Sequence, residues 1–282
     1  MRLLIRHDTA YTYDQPVAFG LWRLLMRPLD SHALRVLDAS IAFTPAGATR
    51  WSYDALGNSV CTFEPSGYSD MLRVISQLTI ERFPASLSAG DLYDPKLALP
   101  IQYALEDRLL LDPFIRPATS LDSDAYAAWI ARFAAAQGAT LSFLRDMNAT
   151  IHQTFQYGER HEEGVQSPAQ TVERGAGTCR DFAWLMVETV RRFGFAARFV
   201  TGYLYSPGGA ARGGGATHAW CEVYLPDLGW IEFDPTNGLA ESHDLIRIAA
   251  ARTPEEASPM RGSILGPGQG RLQVSVSVSL AA

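Results

Sequence analysis

GAGTCRDFAWLM, residues 175–186, decides how this chain is read. Thr178 suits the N-cap of a helix, and Asp181 falls three residues on, where its carboxylate can reach back to the free N–H groups of the first turn. Cys179 is then the first helical residue. Its sulfur sits at the positive end of the helix field beside unpaired backbone N–H groups, an environment that favours a thiolate. Upstream, Gly175-Ala176-Gly177 lets another chain approach closely. Downstream, Phe182, Leu185, Met186, Val190 and Phe193 recur at helical spacing, while Ala183, Trp184 and Val187 carry the apolar surface nearly all round. The pattern predicts a buried helix that ends at Phe193, before Gly194, with its N-terminus aimed outward at a site. A cysteine that only filled core volume would not need a glycine-flanked helix start.

The next informative stretch is HAWCEVYL, residues 218–225. Its alternation puts His218, Trp220, Glu222 and Tyr224 on one strand face and Ala219, Cys221, Val223 and Leu225 on the other. A PDLG turn leads into GWIEFDPTNG, residues 229–238, with Trp230, Glu232 and Asp234 sharing a face. Pairing Tyr224 with Trp230 sets Asp234 diagonally from His218 on the same face, within reach of an imidazole–carboxylate contact. A slip of one residue would send Asp234 to the opposite face. Against this register, Glu222 would oppose Glu232, a like-charge pair tolerable only if solvated. Cys179, His218 and Asp234 together suit an activated nucleophile: a thiol to attack a carbonyl, an imidazole to move its proton, and a carboxylate to fix the imidazole.

Composition narrows the alternatives. The chain has 282 residues, 24 Lys+Arg against 30 Asp+Glu, a net charge of −6 and 47% hydrophobic residues. The length allows about two domains, and the acidic balance argues against a nucleic-acid partner. No run of about 18 apolar residues is present to span a bilayer, and Arg6, His7 and Asp8 interrupt any leader-like start, so the expectation is a cytoplasmic protein without a membrane partner. The three cysteines, Cys61, Cys179 and Cys221, cannot all pair with one another, and no CxxC occurs. No metal and no cofactor is expected. A zinc site built from His218 and Cys221 with Cys179, His161 or Asp234 is disfavoured, because a strand turns His218 and Cys221 to opposite faces. The glycine-rich stretch 206–216 lacks the Lys-Ser/Thr ending of a phosphate loop and reads instead as a flexible lid over Cys179.

Residues 1–85 read as an all-β domain, with strands at Leu37–Phe43, Val60–Phe63 and Met71–Phe83 in a small antiparallel sandwich or barrel. Residues 86–122 form a connector with one or two short helices. The remainder, 123–282, reads as an α+β core. Ser123 caps a helix through Tyr126, Trp129, Ile130 and Phe133, and Ser142 opens a second that ends near Gly158. Residues 159–170 read as a polar loop. Strands follow at Ala197–Tyr205, Thr217–Leu225 and Gly229–Asp234, and Leu272–Leu280 alternates as a half-buried strand able to close a sheet far back in the chain. Trp184, Trp220 and Trp230 are expected around the site. No partner is assigned to His7, His32, His152, His161 or His243.

GAGTCRDFAWLM, THAWCEVYLPDLGW and EFDPTNG resemble the three core motifs of bacterial transglutaminase-like proteins, a family that includes proteins named as cysteine proteases. HDTAYTYDQPV, RLLMRPLD, DALGNSV and the Ser76–Glu81 strand resemble the N-terminal β domain that precedes this core, and IHQTFQYGE resembles the helix ahead of the nucleophile. The resemblance covers nearly the whole chain. It implies a papain-like α+β core with Cys179 as nucleophile, His218 as base and Asp234 as its orienting partner. Cys221 stands where an aliphatic residue is usual, and is read with Cys61 as a packing residue; Glu232 stands where a smaller residue is more common. An oxyanion hole would join the Cys179 backbone N–H to a second donor, for which Tyr157 is the candidate. The expected partner is a protein or peptide substrate carrying a peptide or glutamine-like amide. Two other functions stay open at this point: a non-catalytic binding or assembly module that keeps the fold, and a protein-crosslinking transglutaminase.

Overall fold

The computed structural model describes residues 1–83, 99–136, 138–158, 164–207, 211–226 and 228–281. Part of the expected connector, part of the glycine-rich stretch and His161 lie outside the described residues. The first six strands are β1 (Arg2–Phe19), β2 (Trp22–Leu24), β3 (Leu34–Thr44), β4 (Gly47–Tyr53), β5 (Ser59–Pro65) and β6 (Tyr68–Arg82). Helices α1 (Leu105–Ile115), α2 (Asp124–Ala131) and α3 (Thr140–Thr154) follow, then β7 (Gln156–Tyr157), α4 (Pro168–Arg174), β8 (Ala176–Gly177) and α5 (Cys179–Arg192). The chain continues through β9 (Ala197–Leu204), β10 (His218–Leu225), β11 (Gly229–Asp234), β12 (Leu239–Ala240) and β13 (Leu245–Ala251), and closes with β14 (Met260–Arg261), β15 (Ile264–Leu265) and β16 (Gly270–Leu280). The class is α+β, a β-rich N-terminal region ahead of helices packed on an antiparallel sheet.

The N-terminal region holds two antiparallel sheets, one ordered β15-β1-β6-β3 with β16 also on β1, the other β14-β2-β5-β4. Alternation along β1 and β6 turns Val17, Phe19, Leu72 and Val74 inward onto Trp22, Leu24, Cys61 and Phe63 of the second sheet. Each large apolar side chain buried this way contributes about 1.5–3 kcal/mol. The last strand closes a sheet far back in the chain, as its alternation suggests: residues 270–280 run antiparallel along β1 from Leu3↔Leu280 to Tyr13↔Gly270. Met260 and Arg261 likewise pair with β2.

The second region is built on a five-stranded antiparallel sheet, β12-β11-β10-β9-β13. One face takes α5, whose Phe182, Leu185, Met186 and Val190 are wholly buried together with Phe143, Leu144, Met147 and Ile151 of α3. The other face presents Tyr203, Ile246 and Ile248 to Leu3, Ile5, Leu78 and Ile80 of the N-terminal sheet. Helix α5 is therefore covered on all sides, as its composition predicts. It also buries charge that periodicity does not reveal: Glu188 pairs with Arg191 at 2.8 Å, and both are almost fully enclosed.

Three elements differ from expectation. Helix α2 ends at Ala131, short of Phe133. Helix α3 begins at Thr140, ahead of Ser142. The stretch read as a loop up to residue 170 contains the start of α4, where Ser167 and Gln170 form a reciprocal capping box with Pro168 in the first turn.

Candidate active site

The hairpin of β10 and β11 pairs Tyr224 with Trp230, Val223 with Ile231 and Cys221 with Phe233. This register brings the far end of β11 beside the start of β10, and His218 Nε2 lies 2.8 Å from Asp234 Oδ2. Both side chains are buried, His218 at 1% and Asp234 at 0% exposure. The carboxylate is saturated. Its Oδ2 also accepts from Asn237 Nδ2 at 2.9 Å, and its Oδ1 accepts from the Thr236 backbone N–H at 2.9 Å and the Asn237 N–H at 3.4 Å. From below, His152 of α3 holds the turn through a 2.9 Å contact between its Nδ1 and the Thr236 carbonyl. Sequence reasoning missed Thr236, Asn237 and His152; the DPTNG turn signal was visible, but not what it grips.

Burial alone would lower the proton affinity of His218, but the Asp234 carboxylate overrides it and, with a smaller contribution from Cys179, pushes the imidazole up to about 10. Burial works to raise Asp234, and the imidazole, Asn237 and the Thr236 N–H outweigh it, so its carboxyl stays below the usual range. The other imidazole nitrogen, Nδ1, is buried and makes no directed hydrogen bond among the described residues. Cys179 lies close enough to act on the ring both as a loose hydrogen-bond partner and through its charge.

Cys179 opens α5 and is 7% exposed. Its position is set by Asp181, whose buried carboxylate accepts from the Thr178 N–H at 2.8 Å, the Thr178 hydroxyl at 2.9 Å and the Gln166 N–H at 2.7 Å. The Thr178 hydroxyl thus donates to Asp181, and the loop before α4 is tied to the start of α5. Gly177 admits this packing: a methyl group there would come within 2.9 Å of Asp181 Cβ. Strand β7 pairs parallel with β8, matching Tyr157 to Gly177, two residues before Cys179. The Tyr157 ring meets Phe182 edge-on, with centroids 6.4 Å apart. The other thiols are remote in character: burial pushes Cys61 up to about 11 and Cys221 higher still.

Of the three expected tryptophans, Trp220 lies under His218, with rings 6.2 Å apart and 28° from parallel. Trp230 instead packs beneath Arg198 and against Phe114, and Trp184 under Arg191. The register does pair Glu222 with Glu232, and water is not what makes the pair tolerable. Glu222 is 2% exposed and receives Arg198 Nε at 2.6 Å and Arg247 Nη1 at 3.4 Å. The two arginines supply the compensating charge.

Residues 127–235 match the transglutaminase-like superfamily, and residues 3–81 match the bacterial transglutaminase-like N-terminal region. The uncharacterized protein Rv2569c of Mycobacterium tuberculosis is 28% identical over 98% of this chain and 92% of its own length. The uncharacterized protein ML0607 of Mycobacterium leprae is 24% identical over 99% of this chain and 98% of its own. Among solved structures, a protein of Cytophaga hutchinsonii named as a candidate cysteine protease superposes with a TM-score of 0.71. That match covers 100% of this chain and 92% of the other at 20% identity, a likeness of fold.

Proposed function

This chain belongs to the transglutaminase-like superfamily, and from that premise we propose that it is a cysteine-dependent amide hydrolase or acyltransferase acting on peptide or glutamine-like amides. Cys179 is the nucleophile, His218 the acid and base, and Asp234 the group that orients and charges the imidazole. In the resting ion pair, Cys179 Sγ attacks the amide carbonyl carbon. The C–N bond breaks as the imidazolium gives its proton to the leaving amine, and a thioester remains. Water then attacks, or an amine in acyl transfer. His218 takes the attacker's proton, the C–S bond breaks, and the thiolate–imidazolium pair returns. The backbone N–H of Cys179 and the Tyr157 hydroxyl are the proposed donors to the tetrahedral oxyanion.

The observation that carries this reading is the His218–Asp234 contact, 2.8 Å long and fully buried, beside a thiol at a helix start. A buried imidazole kept charged chiefly by one carboxylate, with Cys179 acting on the same ring, is arranged to hold and return a proton. The test is alkylation by iodoacetamide at pH 6, mapped by mass spectrometry, with buried Cys61 and Cys221 as internal references. Cys179 should react first and should slow in His218→Ala. Equal, slow labelling of all three thiols, unaltered by His218→Ala, would refute the assignment and favour a non-catalytic module.

A further inference from the structure

The segment from Ala211 to Thr217, just before β10, crosses the site. Gly213 adopts a left-handed backbone (φ 81°). A methyl group built on it would lie 3.2 Å from His218 Nδ1 and 3.4 Å from the Tyr157 hydroxyl. The strap backbone thus runs against the imidazole edge turned away from Asp234, between the proposed proton carrier and the proposed oxyanion donor. A substrate amide would need this same space, because its leaving nitrogen must meet the imidazole while its carbonyl oxygen meets the donors.

Among the described residues, the strap's Ala211 N–H donates to Ser206 Oγ within the same loop at 3.2 Å, and two fastenings tie the strap to other elements. The first is Asn237. Its Oδ1 accepts from the Arg212 N–H at 2.9 Å, and its Nδ2 donates to the Arg212 carbonyl at 3.3 Å and to Asp234 Oδ2 at 2.9 Å. One amide therefore grips the strap and the carboxylate together. The second fastening comes from the opposite region: the Val276 N–H of β16 donates to the Gly215 carbonyl at 2.8 Å. With the strap seated, Cys179 and His218 are 7% and 1% exposed.

We propose that the strap of residues 211–217 is an autoinhibitory contact that occupies the substrate's place, latched by Asn237 and pinned by β16, and that it swings out to admit substrate. The inference rests on the catalytic reading of Cys179 and His218. Asn237 is a positioning residue in this scheme: it fixes Asp234 whether or not the strap is seated, and reaches the reacting thiol only through the strap. Both latching contacts are to main-chain atoms of Arg212, so the latch does not depend on that residue's exposed side chain.

The experiment uses the whole chain and two thiol reagents, iodoacetamide and the much bulkier fluorescein maleimide, with labelling mapped to individual cysteines. Two variants loosen the strap by different routes. Asn237→Ala removes the latch; Gly213→Ala wedges the strap with a methyl group against His218 and leaves Asn237 and Asp234 in place. Each should speed maleimide labelling of Cys179 about tenfold, the worth of one to two net hydrogen bonds. Iodoacetamide labelling should change far less, and Cys61 and Cys221 should stay protected. Unchanged maleimide rates in both variants would overturn the proposal, as would parallel rises at Cys61 and Cys221, which would signal general loosening. Failure of the catalytic reading shows separately, as iodoacetamide labelling of Cys179 that ignores His218→Ala.

Discussion

Replacing Asp234 by Asn should discharge His218 and remove a measurable part of the pH dependence of stability. In the native protein the carboxylate holds the buried imidazole up to about 10 against a reference of 6.5. A folded value above the unfolded one gives stability that is complete below pH 6.5 and is lost as pH rises through about 10. Between pH 7 and 10 that loss amounts to about 4 kcal/mol, counted once for the pair. In Asp234→Asn desolvation is opposed only by the smaller contribution of Cys179, so the ring's value falls and its own titration leaves that window; Glu232, raised to about 8, titrates there in both proteins and cancels in the comparison. The amide also cannot satisfy its surroundings. With its oxygen toward His218, its NH2 group faces the Thr236 and Asn237 N–H donors; flipped, it faces Asn237 Nδ2 and makes Nε2 an acceptor, which puts the ring proton on Nδ1 and blocks the base. The assays are urea unfolding at pH 7 and pH 10 and an NMR titration of labelled histidine. Wild type should lose about 4 kcal/mol more than the variant over that interval. Equal losses, with wild-type His218 titrating near 6.5, would refute the account of the pair.

Cys179→Ala and His218→Ala should each abolish turnover of an amide substrate while far-UV circular dichroism and the unfolding transition persist; turnover within tenfold of wild type would remove them from the chemistry. Asp181→Ala strips acceptors from the buried N–H groups of Thr178 and Gln166. At about 1–3 kcal/mol for each orphaned donor it should cost about 2–6 kcal/mol in urea unfolding, and a loss below about 1 kcal/mol would contradict the geometry. Glu232 is pushed up to about 8, chiefly by burial and then by Glu222. A raised carboxyl costs stability as pH climbs from its unfolded value of 4.5 through about 8. Glu232→Gln should therefore gain on wild type steadily between pH 5 and 8 in thermal unfolding, and a constant difference would count against it.

How far the sequence could be read depended on whether the cause was local. The start of α5 follows from Thr178, Cys179 and Asp181 within one turn, and the hairpin register follows from two alternating runs joined by a short loop. The capping box of Ser167 and Gln170 is just as local, and was available to anyone who weighed Pro168 as a first-turn residue. What stayed hidden depends on side chains far apart in the chain. Nothing in HAWCEVYL says that Arg198 and Arg247 will bury Glu222, or that His7, with no partner assignable from sequence, will sit between Tyr203 and Thr9 with burial pressing it down to about 4. The place of β16 is the same kind of case. Its alternation announces a half-buried strand, while its partner, β1 at the other end of the chain, is chosen by which sheet has an open edge.

That choice of edge has a mechanical result. Because β16 lies along β1, the last strand belongs to the N-terminal sheet and yet reaches the core, where its Val276 N–H holds Gly215. Tyr203 and Ile246 of the core sheet are packed on Leu3 and Ile5 of the same β1. The strap against His218 is thus fastened at one end to the turn that carries Asp234 and at the other to a sheet contributing none of the proposed triad. A force or partner that shifts the N-terminal sheet would act on the strap through one hydrogen bond, worth about 1 kcal/mol net. That is too little to hold the strap shut alone and enough to change its seating about fivefold. The N-terminal region would then tune access to the thiol, while Asn237 supplies most of the latch.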